Sequence, residues 1–370
     1  MEPAARRRRW GALGVLLCLA AAAFALGASL GDGQSPRRGP ATKLSLRQLA
    51  GERIVVGLSG TGVGRGLRAA IRRGQVAGVV LFAANLPSRA AGRELIAKLQ
   101  GIPRPPQLRS PLLVMVDQEG GQVKRLSGAP SASAQAMGAR GAAFSAREGR
   151  RTGAGLRDVG VNVDLAPVLD VGRPGGVIAA TERSFGATAA AVSATAIPFA
   201  EGLQGAGIAA TGKHFPGFGA ARGNTDFSVE RIDLSKRELR TVDEQPYAAF
   251  AAAGGRLVML STAIYRAFSN RPAAFTRSIA TGELRNRLGF DGVTITDALE
   301  TPAVEHFGSP AAAAVAGARA GSDLFLYVHL RPAMAARRAL LARLRSAALD
   351  RAGFVAAVER VLALRADLGG

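Results

Sequence analysis

From about Leu44 onward, short runs of β-branched and aliphatic residues recur along the chain. Each ends on a Gly, Asn, Pro or charged residue and is followed by an Ala-, Arg- and Leu-rich stretch with helical spacing. Strands are predicted at 54–58, 78–82, 112–116, 161–165, 208–212, 257–261, 292–296 and 323–328. Helices are predicted over 66–73, 89–99, 146–158, 189–203, 235–253 and 276–288, with 332–349 and 353–366 after the last strand. Runs such as VVLF (79–82) and LLVMV (112–116) are apolar at every position instead of alternating. A strand of that kind is buried on both faces, which favours a parallel sheet covered by helices. Eight strand–helix units predict closure into a single (β/α)₈ TIM barrel rather than an open sheet. The glycine-rich run 57–66 (GLSGTGVGRG) lacks a suitably placed acidic residue on a second strand, so no dinucleotide is expected there.

Ahead of these units, Arg6 to Arg9 precede 21 residues, 10–30, without a charge. As a helix that run would be about 30 Å long, enough to cross a bilayer. Residues 1–30 are therefore read as a signal peptide or membrane anchor, 31–43 as a Gly/Pro/Arg linker and 44–370 as the barrel domain. In either case the positive flank stays inside and the body is exported.

Composition changes this picture little. Hydrophobic residues make up 48% and charged residues 20%, a globular balance. The net charge of +21 raises the question of nucleic acid. However, the basic residues, 43 of them Arg, are scattered along Ala- and Gly-rich helices with few aromatics, so specific nucleic-acid binding is not expected. The one cysteine, Cys18, excludes an intrachain disulfide and the usual Cys-based metal patterns. No metal or cofactor requirement is visible, and a monomer is expected.

In such barrels chemistry sits at the C-terminal ends of the strands. The third strand runs into Asp117-Gln118-Glu119, the fourth into Asp164 to Asp170, the fifth into Lys213-His214 and the seventh into Asp297. Charged groups directly after apolar strands cost stability unless paired, so this set needs an explanation. Asp117, Lys213, His214 and Asp297 read as functional and Glu119 as a supporting residue. Asp164 and Asp170 fit either the site or a structural tie of the barrel rim.

These segments carry a resemblance. VDQEGGQVKRL (116–126), GVNVDLAPVLDV (160–171), ERSFG (182–186), GKHFPGFG (212–219) and LGFDGVTITDALE (288–300) resemble, in order along the chain, the β-N-acetylhexosaminidase branch of glycoside hydrolase family 3. The resemblance implies an exported retaining glycosidase that removes terminal β-linked N-acetylglucosamine from cell-wall-type glycans. It implies Asp297 as the nucleophile, and Asp117, Arg125, Arg183, Lys213 and His214 as ligands of the sugar hydroxyls.

In one place the pattern departs. The branch carries an Asp-Ser-His whose His is the general acid/base, and here the corresponding residues are Asn224, Thr225 and Asp226. The preceding His of the branch's KHFPGHG is Phe218. Asp226 is the expected stand-in, with Glu230 second, provided burial or a nearby carboxylate tunes its acidity. The alternative is an envelope protein that binds glycan in the old sugar pocket without catalysis. His306 and His329, the remaining histidines, read as structural.

Overall fold

The computed structural model describes residues 39–369. The leader or anchor expected over 1–30, and most of the linker expected over 31–43, lie outside the described residues.

All eight predicted strands form: β1 Ile54–Gly57, β2 Gly78–Val80, β3 Leu113–Val116, β4 Val163–Asp164, β5 Ala209–Phe215, β6 Leu257–Leu260, β7 Val293–Thr296 and β8 Phe325–Tyr327. They pair in parallel in the order β7-β6-β5-β4-β3-β2-β1-β8. The sheet closes between β7 and β8, where Leu324 N–H donates to Thr294 O at 2.8 Å and Leu324 O accepts from Thr296 N–H at 3.0 Å. Within the barrel, none of the eight strands is left with a free edge.

The unbroken apolar runs have the predicted cause. Val55, Val80, Leu113, Met115, Val163, Leu257, Met259, Val293 and Ile295 pack together as one buried set. Their neighbours Ile54, Val56, Val79, Val114, Val116, Val258 and Leu260 pack with the helices in another. Successive side chains on a strand point to opposite faces, so the first set fills the barrel and the second seats the helical layer.

The helices largely follow the prediction, as in Arg89–Gln100, Ala189–Gly205 and Arg351–Asp367, whose N-caps Ser88, Thr188 and Asp350 accept backbone N–H groups of the first turn. The helix predicted over 235–253 is not continuous. Ser235 and Glu238 form a capping box over a single turn, Leu239–Asp243 widens to π pitch, and Gln245–Ala252 restarts with Pro246 in its first turn. Proline has no N–H to give the preceding turn, which accounts for the break. Ser278–Arg287 likewise runs as a π-helix.

The end of the barrel opposite the predicted chemistry is knitted by arginine. Asp323, fully buried just before β8, accepts Arg285 at 2.6 Å and Arg360 at 2.7 Å. Arg53 lies buried against the rings of Phe325 and Phe354. Part of the large positive charge is thus structural.

Candidate active site

The inward alternation of the strands continues past their ends and sets the site. Counting by two from the core positions, 113 and 115 lead to Asp117, 209 and 211 to Lys213, 257 and 259 to Ser261, and 293 and 295 to Asp297. All four line one cavity of about 400 Å³ at the C-terminal ends of the strands. Arg125, Arg183, His214 and Asp226 line it too, so every residue predicted for the site comes together there.

Lys213, 2% exposed, is the hub of the charged wall. Its Nζ lies 2.7 Å from Asp117 Oδ1 and 2.7 Å from Glu119 Oε1. Arg183 forks onto Glu119, Nε to Oε2 and one terminal nitrogen to Oε1, both at 2.8 Å. Arg125 reaches Asp117 Oδ2 at 3.3 Å. Burial alone would push both carboxyls up, but the Lys213 charge, with Arg125 for Asp117 and Arg183 for Glu119, holds them below the usual carboxylate range. Lys213 is in turn raised, the two carboxylates outweighing its burial. The wall is therefore a set of fixed charges whose orientation does not depend on a bound molecule.

Glu119 lines the cavity and braces the wall through Lys213 and Arg183. Replacing it with Gln would leave Lys213 and Arg183 buried with one negative partner fewer. Glu119→Gln is expected to destabilise the fold by roughly 3–5 kcal/mol, read as a lower urea midpoint. An unchanged midpoint would mean that the ion pairs do not bear on folding.

The DLAPVLD segment resolves into two different carboxyls. Asp164, fully buried, accepts Gln118 N–H at 2.9 Å on Oδ1, while Oδ2 has no hydrogen-bond partner. Burial pushes its carboxyl up to about 8, with the Gln118 N–H opposing and the Asp117 and Glu119 charges adding. Unfolded, the same group ionises near its ordinary value of 3.8. Between about pH 4 and pH 8 the folded chain therefore holds a proton that the unfolded chain has lost, and Asp164 costs stability as pH rises through that window. Asp164→Asn copies the neutral acid and removes the dependence. Its stability relative to wild type is expected to improve between pH 5 and pH 8 by up to about 1.4 kcal/mol per pH unit, measured by urea unfolding. A constant difference across that range would show that Asp164 is ionised in the folded protein. Asp170, also fully buried, faces His214 instead, with Oδ2 2.8 Å from Nδ1.

Asp297 follows β7 directly, its N–H held by Leu260 O at 3.0 Å and its Oδ1 accepting Ala298 N–H at 2.7 Å. Burial pushes its carboxyl up, His214 and Lys213 pull it back, and Asp226 adds to the rise. Asp226, itself exposed, is a second carboxyl at the same cavity.

The loop that carries Asp226 is fixed at both ends. Gly219 passes so close to the chain after β4 that a Cβ there would lie 1.9 Å from Val171 O, so only glycine fits. Further on, Glu230 takes Gly223 N–H at 3.1 Å and Ser228 Oγ–H at 2.7 Å, and residues 231–232 pair with 264–265. Glu230 is therefore occupied in holding the loop, and Asp226 is the carboxyl that lines the cavity. Asn224 clamps it, its Nδ2 donating to Asp226 Oδ2 at 3.0 Å and its Oδ1 accepting Asp226 N–H at 2.9 Å. Phe218 is buried edge-on against the His214 ring.

Of the three histidines only His214 lines the cavity. His329 is bound to Glu300 at 2.9 Å, and His306 follows the short helix Pro302–Glu305 and lies elsewhere. Among the described residues no group of three His, Cys, Asp or Glu side chains is arranged to hold a metal ion. Sequence reading passed over Ser261, which the alternation of 257 and 259 would have found. It also passed over Asn224 as a clamp, although the Asx-turn spacing of Asn224 and Asp226 signals it.

Comparison with known proteins agrees with this geometry. The glycosyl hydrolase family 3 N-terminal domain matches residues 51–364. An uncharacterized secreted glycosyl hydrolase of Arthroderma benhamiae is 36% identical over 295 residues, covering 78% of this chain and 83% of the fungal one. A beta-hexosaminidase of Xylella fastidiosa is 34% identical over 289 residues, covering 75% and 83%. A glycoside hydrolase family 3 beta-N-acetylglucosaminidase from Paenibacillus sp. superposes with a TM-score of 0.83 at 33% identity, over 88% of this chain and 63% of that longer one. A closed parallel barrel, a carboxyl-lined cavity at its strand ends and a match across nearly the whole described chain have one reading: the protein belongs to glycosyl hydrolase family 3 and is a glycosidase.

Proposed function

We propose that the protein is an exported, retaining β-N-acetylhexosaminidase that releases terminal N-acetylglucosamine from cell-wall-type glycans. The observation that supports the reading is that Asp297, His214, Lys213 and Asp226 line one cavity. In this mechanism Asp297 attacks the anomeric carbon and forms a glycosyl-enzyme, while Asp226 gives a proton to the departing oxygen. Asp226, then ionised, takes a proton from the incoming water, and the sugar leaves Asp297 with its anomeric configuration retained. Asp117, Arg125, Arg183, Lys213 and His214 hold the sugar hydroxyls; the pairs of Asp117 with Arg125 and Lys213, of Arg183 with Glu119 and of His214 with Asp170 keep them in place before the sugar arrives. The names of the Xylella and Paenibacillus relatives support the sugar class. The charge-free run 10–30 behind Arg6 to Arg9 supports export.

The test is a screen of aryl glycosides. Release of the aryl group from the N-acetylglucosaminide, and much less from the glucoside, is expected. A protein that cleaves neither sinks the reading. The exchange of the family's acid/base pair for Asn224 and Asp226 favours a second reading, a glycan-binding envelope protein without turnover. Binding of chito-oligosaccharides with no hydrolysis would establish it.

A further inference from the structure

Asp170 is fully buried and takes four hydrogen bonds. Oδ1 accepts the N–H of His214 at 3.1 Å, the N–H of Phe218 at 2.7 Å and the Tyr247 hydroxyl at 3.3 Å. Oδ2 lies 2.8 Å from His214 Nδ1. A carboxyl surrounded in this way acts as an acceptor only, so Nδ1 is the nitrogen that carries the hydrogen. The ring cannot turn over without breaking that bond, and Phe218 packs edge-on against it at 5.7 Å between centroids. With Nδ1 committed to the buried side, Nε2 is the nitrogen left for the cavity that His214 shares with Asp297. Arg183, Asp243, Tyr247 and Tyr265 are the other charged or titratable groups that sense Asp170, and none of them takes its place at Nδ1.

We propose that Asp170 is a positioning residue for the glycosidase reaction: it holds His214 in the Nδ1–H tautomer and so presents Nε2 to the sugar next to the nucleophile. The inference rests on the proposed function for what Nε2 meets, and on the hydrogen bonds alone for the tautomer. The rim tie that DLAPVLD suggested and a role in the site are then one device. The carboxyl that pins Phe218 and the start of the following loop also orients the histidine.

With three histidines in the chain, the imidazole nitrogens of the full-length protein are countable in a long-range ¹H–¹⁵N spectrum, and His214→Gln assigns the signal. Neutral His214 is expected to show hydrogen on Nδ1. Asp170→Asn is expected to abolish that signature and lower kcat/KM on an aryl N-acetylglucosaminide about 10- to 100-fold. Tyr247→Phe, which removes a different donor to the same carboxyl, is expected to keep the signature. The wild-type spectrum needs no substitution: hydrogen on Nε2 overturns the proposal. It is equally overturned if Asp170→Asn keeps both the Nδ1–H signal and wild-type kcat/KM. Absence of turnover in the wild type would count against the proposed function, and the tautomer would still be decided.

Discussion

Asp297→Asn is expected to abolish turnover of every glycoside the wild type cleaves, by about 10⁴-fold or more, while leaving the fold intact. The amide keeps an oxygen in reach of Ala298 N–H and removes only the charge that would attack the anomeric carbon. Burial already raises this carboxyl, so the fold bears a cost to keep it ionised, and the neutral variant should be no less stable than wild type. A slow fluoro-glycoside should label wild-type Asp297 and leave the variant unlabelled, read by peptide mass spectrometry. Turnover surviving in Asp297→Asn, or a label on another residue, would remove Asp297 from the centre of the mechanism.

Asp226→Asn is expected to lose about 10² to 10⁴ in kcat/KM on a disaccharide or an unactivated aryl glycoside, and far less on a dinitrophenyl glycoside. The reasoning concerns the leaving group. A departing alkoxide needs a proton in the transition state, whereas a dinitrophenolate departs without one. A residue that only shaped the loop would slow both substrates alike. Comparing the two leaving groups therefore separates an acid from a structural carboxyl. Equal losses on both would return the loop to a structural role and favour glycan binding without turnover. Asn224→Ala, which unclamps Asp226, offers a milder version of the same comparison.

Much of this was legible in the chain because the signals are local. The alternation of a strand has a period of two, so apolar runs such as 112–116 announce both their double burial and the rim residue that follows. Asp117, Lys213 and Asp297 are the next inward positions of β3, β5 and β7, and for that reason a reading of strand ends found them. The helical stretch over 235–253 forms to its predicted extent, but its π-pitched turn and the restart at Pro246 are not legible, because apolar periodicity does not report the hydrogen bonding that Pro246 interrupts.

Roles that depend on a partner far along the chain were not legible. Glu119 lies just past an apolar strand and Asp164 at the end of another, yet the first meets Lys213 and Arg183 and is held ionised, and the second meets one N–H and is pushed toward the neutral form. No spacing distinguishes them, since the difference lies in which charges the barrel brings within reach. His214 and Asp170 are likewise 44 positions apart and become a pair only when β4 and β5 lie side by side. The sequence by itself determined the barrel, its inward register and the residues that stand at its mouth, because backbone periodicity and burial decide those. Tertiary structure alone decided which of them are paired, which are clamped and which line the cavity, because electrostatics and hydrogen bonds act through space and not along the chain.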